Sequence, residues 1–135
     1  MNVRRPLALL LALFVSAPLF AQTPVQRSAE DAEFLKGAYL STDTDVIVPA
    51  ALRQVTPQYT SDAMRAKLQG VVVIQAVVAA DGTVDRARVT QSLDSQMGLD
   101  DAALMAAKRW LFKPGTKDGK AVPVAVTLTL QFRLH

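Results

Sequence analysis

The chain of 135 residues contains no cysteine, and its single histidine, His135, is the last residue. Without thiols the protein forms neither disulfides nor zinc–thiolate sites. Because its one histidine is the terminal residue, no histidine in the body of the sequence can act as the base for a serine or threonine nucleophile. The six glycines stand singly, so the sequence has no glycine-rich loop of the kind that binds phosphate groups. These absences predict a protein that is not an enzyme and that has no metal site and no cofactor.

The first 21 residues have the three parts of a secretory signal peptide. Two arginines, Arg4 and Arg5, precede an unbroken apolar run, and the segment ends in the small residue Ala21. The mainly apolar stretch, residues 6–21, has 16 residues including two prolines, whereas a membrane-spanning helix needs about 20. We therefore expect an exported chain that is cleaved between Ala21 and Gln22, with retention as a membrane anchor as the alternative.

Little net charge is expected on the exported chain. The whole sequence has 15 basic and 12 acidic residues, a formal charge of +3, and two of the basic residues belong to the signal segment. Proteins that bind nucleic acid depend on clustered lysines and arginines that neutralise phosphates. This sequence has no such cluster, so we predict no nucleic-acid partner. We expect contact with a membrane only if the signal segment is retained.

After the signal segment, the sequence divides into a lead-in, residues 22–56, and one α+β domain, residues 57–135. In the lead-in, a Ser-Ala-Glu-Asp sequence of the capping-box type precedes apolar residues at helical spacing. This pattern predicts a short helix over residues 29–40. In the domain, Thr60 or Ser61 is a suitable cap for a second short helix.

Two strands joined by a tight turn follow that helix. The β-branched run at residues 71–78 has the length of a strand, and alternation places one of its faces in the core: Val72, Ile74, Ala76 and Val78. The Asp-Gly pair that comes next is typical of a hairpin turn. It predicts a return strand over residues 84–92. Because Val84 and Ala87 have opposite parity in this strand, either the buried face changes or a bulge lies near Asp85 and Arg86.

The clearest helix is predicted over residues 99–112. Asp100 is expected to be its N-cap, and Pro114 ends it because the residue before a proline is forced out of the α region. Apolar residues at helical spacing form a stripe that is expected to face the sheet: Leu99, Ala103, Ala106 and Trp110. Trp110 is therefore predicted to lie in the core.

The last strand is predicted over residues 122–135, where apolar residues alternate with others along the whole segment. The handedness of connections makes it pair with the first strand, which gives a three-stranded antiparallel sheet of order 2-1-3 with two helices on one face. The far side of the last strand then has no neighbour, and its unpaired main-chain groups favour the addition of an extended partner strand. We expect the outward side chains to contact that partner: Thr127, Thr129, Gln131 and Arg133.

Several motifs of the domain occur in an order that is typical of one protein family. In chain order they are Pro57-Gln58-Tyr59, Gly70, Asp81-Gly82-Thr83-Val84, Leu99-Asp100-Asp101-Ala102-Ala103-Leu104, Lys108-Arg109-Trp110-Leu111-Phe112-Lys113-Pro114-Gly115, Gly119 and Phe132. In these motifs residues 57–135 resemble the C-terminal domain of TonB energy transducers.

The resemblance implies a periplasmic domain of Gram-negative bacteria that binds the TonB box of outer-membrane receptors or a similar peptide of another envelope protein. In the family, the box peptide adds as a strand to the edge formed by the last strand, and residues around the Pro-Gln-Tyr segment lie near that contact. On this chain those residues are Gln58 and Tyr59. They join the outward residues of the last strand as predicted partner-binding residues.

Three departures from the family pattern bear on function. Thr60 stands where the family prefers a second proline, Ser16 is followed by Phe20 where the family's anchor helix has a histidine, and a long proline-rich spacer is missing. We therefore expect peptide binding without transmission of force. Two alternatives stay open: a structural envelope protein that associates with itself as a homodimer through the same edge, and a minimal anchored energy transducer.

Overall fold

The computed structural model describes residues 24–135. The predicted signal peptide, with its cleavage site between Ala21 and Gln22, lies outside these residues. The described helices are α1 (Pro24–Phe34), α2 (Ser61–Arg65) and α3 (Leu99–Ala107), and none of them is long and apolar enough to span a membrane. The described strands are β1 (Tyr39–Leu40), β2 (Val46–Ile47), β3 (Ala50–Arg53), β4 (Gly70–Val78), β5 (Val84–Gln91), β6 (Leu111–Lys113), β7 (Thr116–Lys117), β8 (Lys120–Ala121) and β9 (Val124–Phe132).

The main sheet has the order β1-β9-β4-β5, with β4 paired antiparallel to β5 on one side and to β9 on the other. The α+β class and the predicted order of the three long strands are therefore confirmed. The sheet differs from the prediction in having a fourth, short strand: β1 adds parallel to the start of β9. A strand of two residues carries no periodic pattern, so only its long-range pairing defines it.

The core lies between one face of this sheet and helices α2 and α3. The predicted core face of β4 is fully buried, since its four residues all have 0% exposure. Helix α3 buries three of the four residues of its predicted stripe together with Ala107, and β9 adds the alternating residues of its inner face. The largest contributors from these two elements are Leu99, Leu128, Leu130 and Phe132.

Helix α3 is shorter than predicted and is capped by a different residue. Its N-cap is Gly98 with a φ of 83°, while the carboxylate of Asp100 instead accepts hydrogen bonds from the amides of Leu93 and Asp94 at 3.0 and 3.1 Å. The helix ends at Ala107, and β6 follows it. The local sequence predicted a helix to residue 112. Instead, β6 pairs with β3, and the Phe112 N–H donates to the Gly82 carbonyl at 2.8 Å.

The lead-in wraps around the sheet. Helix α1 lies on the face opposite α2 and α3, where the guanidinium of Arg88 stacks 4.2 Å above the ring of Phe34 and bonds Asp31 at 2.7 Å. The Arg86 guanidinium donates to the carbonyl of Lys36 at 2.6 Å. The helix begins earlier than predicted because proline suits a first helical turn, and it ends before Gly37, whose φ is 78°.

The rest of the lead-in forms two small sheets with the segment that follows α3. Strand β2 pairs with β7, which in turn pairs with β8, and β3 pairs with β6. The lead-in then runs past Val55 and Tyr59 to α2. Thr60 is the N-cap of α2: its hydroxyl accepts from the Ala63 amide at 3.2 Å and donates to the carbonyl of Met97 at 2.6 Å.

Candidate functional site

The outer side of β9 is open along most of its length. Strand β9 pairs with β4 over nine residues without a register shift, so this pair has no bulge. On its other side, β1 pairs only with Val124 and Ala125. Within residues 24–135 no strand pairs with β9 beyond Ala125 on that side. The predicted free edge is therefore present, but it is shorter than the strand.

The hydrogen bonding of β1 determines which main-chain groups face this opening. The Tyr39 N–H donates to the Pro123 carbonyl at 2.9 Å, so the main-chain groups of residue 123 point toward β1. Successive residues of a strand direct their N–H and C=O groups to opposite sides. Because β9 has no register shift, residues 125, 127, 129 and 131 point the same way as residue 123. Beyond Ala125, the N–H and C=O of Thr127, Thr129 and Gln131 therefore face outward from the sheet.

The side chains of these residues are also exposed. Thr127, Thr129 and Gln131 lie on the sheet face opposite the core, and each alternates with a residue of the inner face. Arg133 is exposed too, but it lies one residue past the end of β9. The open edge thus presents a row of uncharged polar side chains, held in place because the inner face of the same strand is packed in the core.

Gln58 and Tyr59, the other two predicted binding residues, differ from one another. The Tyr59 ring meets the Phe132 ring edge-on at a centroid distance of 5.3 Å, and its hydroxyl donates to the Leu68 carbonyl at 2.7 Å. Tyr59 therefore anchors the Pro-Gln-Tyr segment to the core. Gln58 is exposed and lines a cavity of about 350 Å³ between this segment and α3, beside the exposed Met105.

A second, smaller cavity of about 210 Å³ lies at the end of the open edge. One wall is formed by Thr129, Leu130 and Gln131, and the other by residues 54–57 and Trp110. The Trp110 indole N–H donates to the carbonyl of Val55 at 3.1 Å, which holds the opposite wall in place. We call this cavity the edge groove.

The edge groove was not predicted, and Trp110 is not the fully buried residue that the helix pattern suggested. Trp110 comes after the end of α3 and is partly buried, with its ring tilted against that of Phe112 at 6.0 Å. The signal that could have found the groove is the indole itself, because a buried indole N–H needs an acceptor and the predicted helix offered none.

A family model for the C-terminal part of the TonB protein of Gram-negative bacteria matches residues 55–134. The chain belongs to this TonB C-terminal family. The family membership confirms the resemblance found in the sequence, and with it the prediction that the chain is not an enzyme.

The similar proteins include TonB proteins of two organisms. The protein tonB2 of Pseudomonas aeruginosa is 33% identical over 84 residues, which are 62% of this chain and 31% of that protein. The TonB protein of Xanthomonas campestris pv. campestris is 34% identical over 79 residues, 58% of this chain and 35% of that protein. The chain thus matches about a third of the length of these relatives.

The fold is similar to a solved TonB domain. The solution NMR structure of the Pseudomonas aeruginosa TonB CTD matches with a TM-score of 0.53 and 27% identity, covering 72% of this chain and 94% of that one. The matched TonB family segment begins at residue 55, so it includes one wall of the edge groove and all of β9. Helix α1 and strand β1 precede it.

The other outer strand of this TonB C-terminal domain, β5, has a different edge. It carries Asp85, Arg86 and Arg88, and its register with β4 shifts twice, once at each end. Arg86 and Asp85 form an ion pair at 3.3 Å. At the hairpin turn before β5, the Asp81 carboxylate accepts from the Thr83 hydroxyl and amide at 2.6 and 2.9 Å, and these bonds lower the pKa of Asp81.

Proposed function

We propose that the chain is a periplasmic binding module that adds an extended peptide as a strand to the open edge of β9. The peptide we propose is a TonB-box segment of an outer-membrane receptor or a similar segment of another envelope protein. The observation that carries the proposal is the row of outward N–H and C=O groups at Thr127, Thr129 and Gln131, on a strand without a bulge that no described strand covers there.

The energetics indicate that main-chain pairing needs help from side chains. A main-chain hydrogen bond contributes about 0.5–1.5 kcal/mol net. Association costs about 4 kcal/mol or more in lost freedom, in addition to the ordering of the peptide. Three outward residues alone give a marginal balance, so contacts in the edge groove have to add affinity. The polar row on β9 then selects among peptides by side-chain fit.

Each predicted binding residue has a role in this proposal. The three outward residues of β9 pair with the peptide, and Arg133 lies where the peptide would leave the strand. Gln58 offers an exposed amide next to the groove wall. Tyr59 acts indirectly, because its contacts with Phe132 and Leu68 position the segment that forms this wall.

Self-association is a second candidate, favoured by the same edge. A strand with an open edge, without charges and without a bulge is able to pair with its copy in a second molecule. Sedimentation of the purified protein separates the two proposals: a dimer that dissociates on addition of peptide indicates that both use β9. A monomer that binds peptide rules out the structural alternative.

The test uses proline, which removes a main-chain donor. Thr129→Pro deletes an outward N–H in the middle of the edge, so a labelled TonB-box peptide is expected to bind at least about tenfold more weakly, equal to about 1.4 kcal/mol. Fluorescence titration measures this change, and circular dichroism checks folding. A folded variant that binds as tightly as the unaltered protein would contradict strand addition at β9.

A matched control is available on β5. Main-chain groups of the odd-numbered residues of β4 face β5, and Arg86 and Arg88 pair with two of them, Val77 and Gln75. Ala87, between the two arginines, therefore directs its N–H outward, away from the sheet. Ala87→Pro removes an outward donor from the other edge and is expected to leave peptide affinity unchanged.

The location of the protein is part of the proposal. Cleavage between Ala21 and Gln22 would release it into the periplasm, whereas retention of the segment would hold it at the inner membrane. The intact mass of the exported chain distinguishes these cases. A mass that begins at Gln22 supports the free binding module, and a full-length mass in the membrane fraction supports the anchored transducer.

A further inference from the structure

Strand β1 has a place in the proposed binding site that the family segment does not include. Resting on the proposed function, we propose that β1 is a fixed stop that sets the register of the partner. The partner strand would pair with residues 127–131 only, and it would neither displace β1 nor extend to Ala125.

Contacts on both sides hold β1 in place. Its main chain is bonded to β9 through the Tyr39 N–H and the Pro123 carbonyl, at 2.9 Å. The ammonium of Lys117 lies 5.3 Å from the centre of the partly buried Tyr39 ring and donates to the Thr44 carbonyl at 2.9 Å. Lys117 belongs to β7, so β1 is tied to the domain as well as to the edge of the sheet.

A tight turn takes the chain away from the edge directly after β1. The Asp43 amide donates to the Leu40 carbonyl at 3.0 Å, and the Leu40 amide donates to the Asp43 carboxylate at 2.8 Å. The main-chain groups of Leu40 that point away from β9 are thereby satisfied within the turn. Strand β1 therefore offers no new edge to a partner, and its end marks the first position that a partner strand is able to occupy.

This stop limits the kind of partner that fits. The open part of β9 between residues 127 and 131 spans five residues, or about 16 Å at about 3.3 Å per residue. The edge groove lies at the end far from β1, and its volume of about 210 Å³ is below the ~300 Å³ of the smallest ligand-sized pockets. We expect a segment of about five extended residues, with one larger apolar side chain at the end that reaches the edge groove, between residues 129–131 and the wall of residues 54–57 and Trp110.

Amide hydrogen exchange, followed by NMR on the ¹⁵N-labelled protein with and without a synthetic TonB-box peptide, tests this inference. The amides of residues 127, 129 and 131 are expected to exchange rapidly in the free protein and at least tenfold more slowly with peptide. The amides of Tyr39 and Ala125 are expected to be protected in both states, because each faces the other strand of the β1–β9 pair.

The outcomes separate the two proposals. If the peptide protects residues 127–131 while the Tyr39 amide loses protection, β1 is displaced, which overturns the fixed stop and leaves strand addition standing. If residues 127–131 show no change with bound peptide, strand addition at this edge is wrong, and the stop falls with it.

Substitutions at Tyr39 in β1 give a second test of the fixed stop. Tyr39→Pro removes both the N–H that bonds Pro123 and the ring that Lys117 contacts, so β1 is expected to leave the edge. Ala125 is then expected to exchange rapidly in the free variant and to become protected only when peptide is added. Tyr39→Phe is the matched control, since it keeps both the amide and the ring and is expected to leave Ala125 protected throughout. Failure of the peptide to protect Ala125 in the folded proline variant would contradict a role of β1 in setting the register.

Discussion

The two long strands that flank β4 in the main sheet, β9 and β5, differ in the features that control pairing with a further strand. Strand β5 carries three charged residues and two register shifts, whereas β9 carries no charge and keeps one register over nine residues. Charges and bulges are common devices by which natural proteins prevent edge-to-edge association. This domain therefore blocks the edge of β5 and leaves the edge of β9 available.

The lead-in strengthens the contrast. Helix α1 packs over the arginines of β5. One of them, Arg88, also donates to the side-chain oxygen of Gln75 on β4, at 2.7 Å. At the other edge the lead-in covers only the first two residues of β9. The same segment thus adds cover near the blocked edge and leaves the middle of β9 free.

The first prediction compares how much a core-facing side chain of each strand contributes to the free energy of unfolding. Phe132 of β9 is 2% exposed and packs against Tyr59, so Phe132→Ala is expected to lower the free energy of unfolding by about 3–5 kcal/mol. Val89 of β5 is only partly buried, and Val89→Ala is expected to cost about 1–2 kcal/mol. Chemical denaturation measures both. Equal losses would mean that β9 is not the more rigid edge.

The second prediction concerns the groove beside β9. Because Trp110 is partly buried and makes one hydrogen bond, Trp110→Ala is expected to cost about 2–3 kcal/mol in stability, less than a fully buried tryptophan would. It also removes a groove wall, so peptide affinity is expected to fall. Denaturation and titration at a temperature where the variant is folded test both effects. Unchanged affinity would remove the groove from the binding site.

The third prediction addresses the attachment of α1 near β5. Arg88→Ala removes an ion pair, a cation–π contact and the hydrogen bonds to Gln75, and is expected to cost about 1–2 kcal/mol. Amide exchange in α1 is expected to rise, while peptide binding at β9 stays the same. Arg65→Ala, which breaks an exposed ion pair on α2, is the control. A loss of peptide binding in Arg88→Ala would show that the two edges are coupled.

The smallest effect is expected from pH at the turn that leads into β5. The pKa of Asp81 is lowered in the folded state by its bonds to Thr83. The stabilisation is therefore fully present above the unfolded value, near 3.8, and is lost as the pH falls through the lower folded value. Asp81→Asn is expected to flatten the stability curve in this acid range. Parallel curves for the two proteins would show that the turn contributes no pH dependence.

The parts of the fold that local pattern determines were predicted from the sequence. Alternation along the last strand identified its inner and outer faces, and connection rules placed it beside β4. The sequence left open whether the Thr129 amide faces β4 or the partner. That direction follows from a single long-range bond, between Tyr39 and Pro123, which no local pattern encodes.

Residues with two roles were the hardest to predict. Gly82 was identified as a turn residue, yet a Cβ there would also lie 2.1 Å from the Phe112 carbonyl oxygen, which allows β6 to approach the hairpin. Residues 108–112 are compatible with a helix, but the helix ends at Ala107 and residues 111–113 form a strand because β3 supplies a partner. Such outcomes depend on contacts between segments that are distant in the sequence.

Disulfide trapping distinguishes β9 from β5 as the edge that binds peptide, because the chain has no cysteine of its own. Thr129 on β9 and Thr90 on β5 are exposed threonines on the two strands that flank β4, so Thr129→Cys and Thr90→Cys form a matched pair. A TonB-box peptide that carries one cysteine is expected to form a disulfide rapidly with the cysteine at position 129 and only at background level with that at position 90. Trapping that is equal at the two positions, or faster at position 90, would contradict the account that β9 is the binding edge.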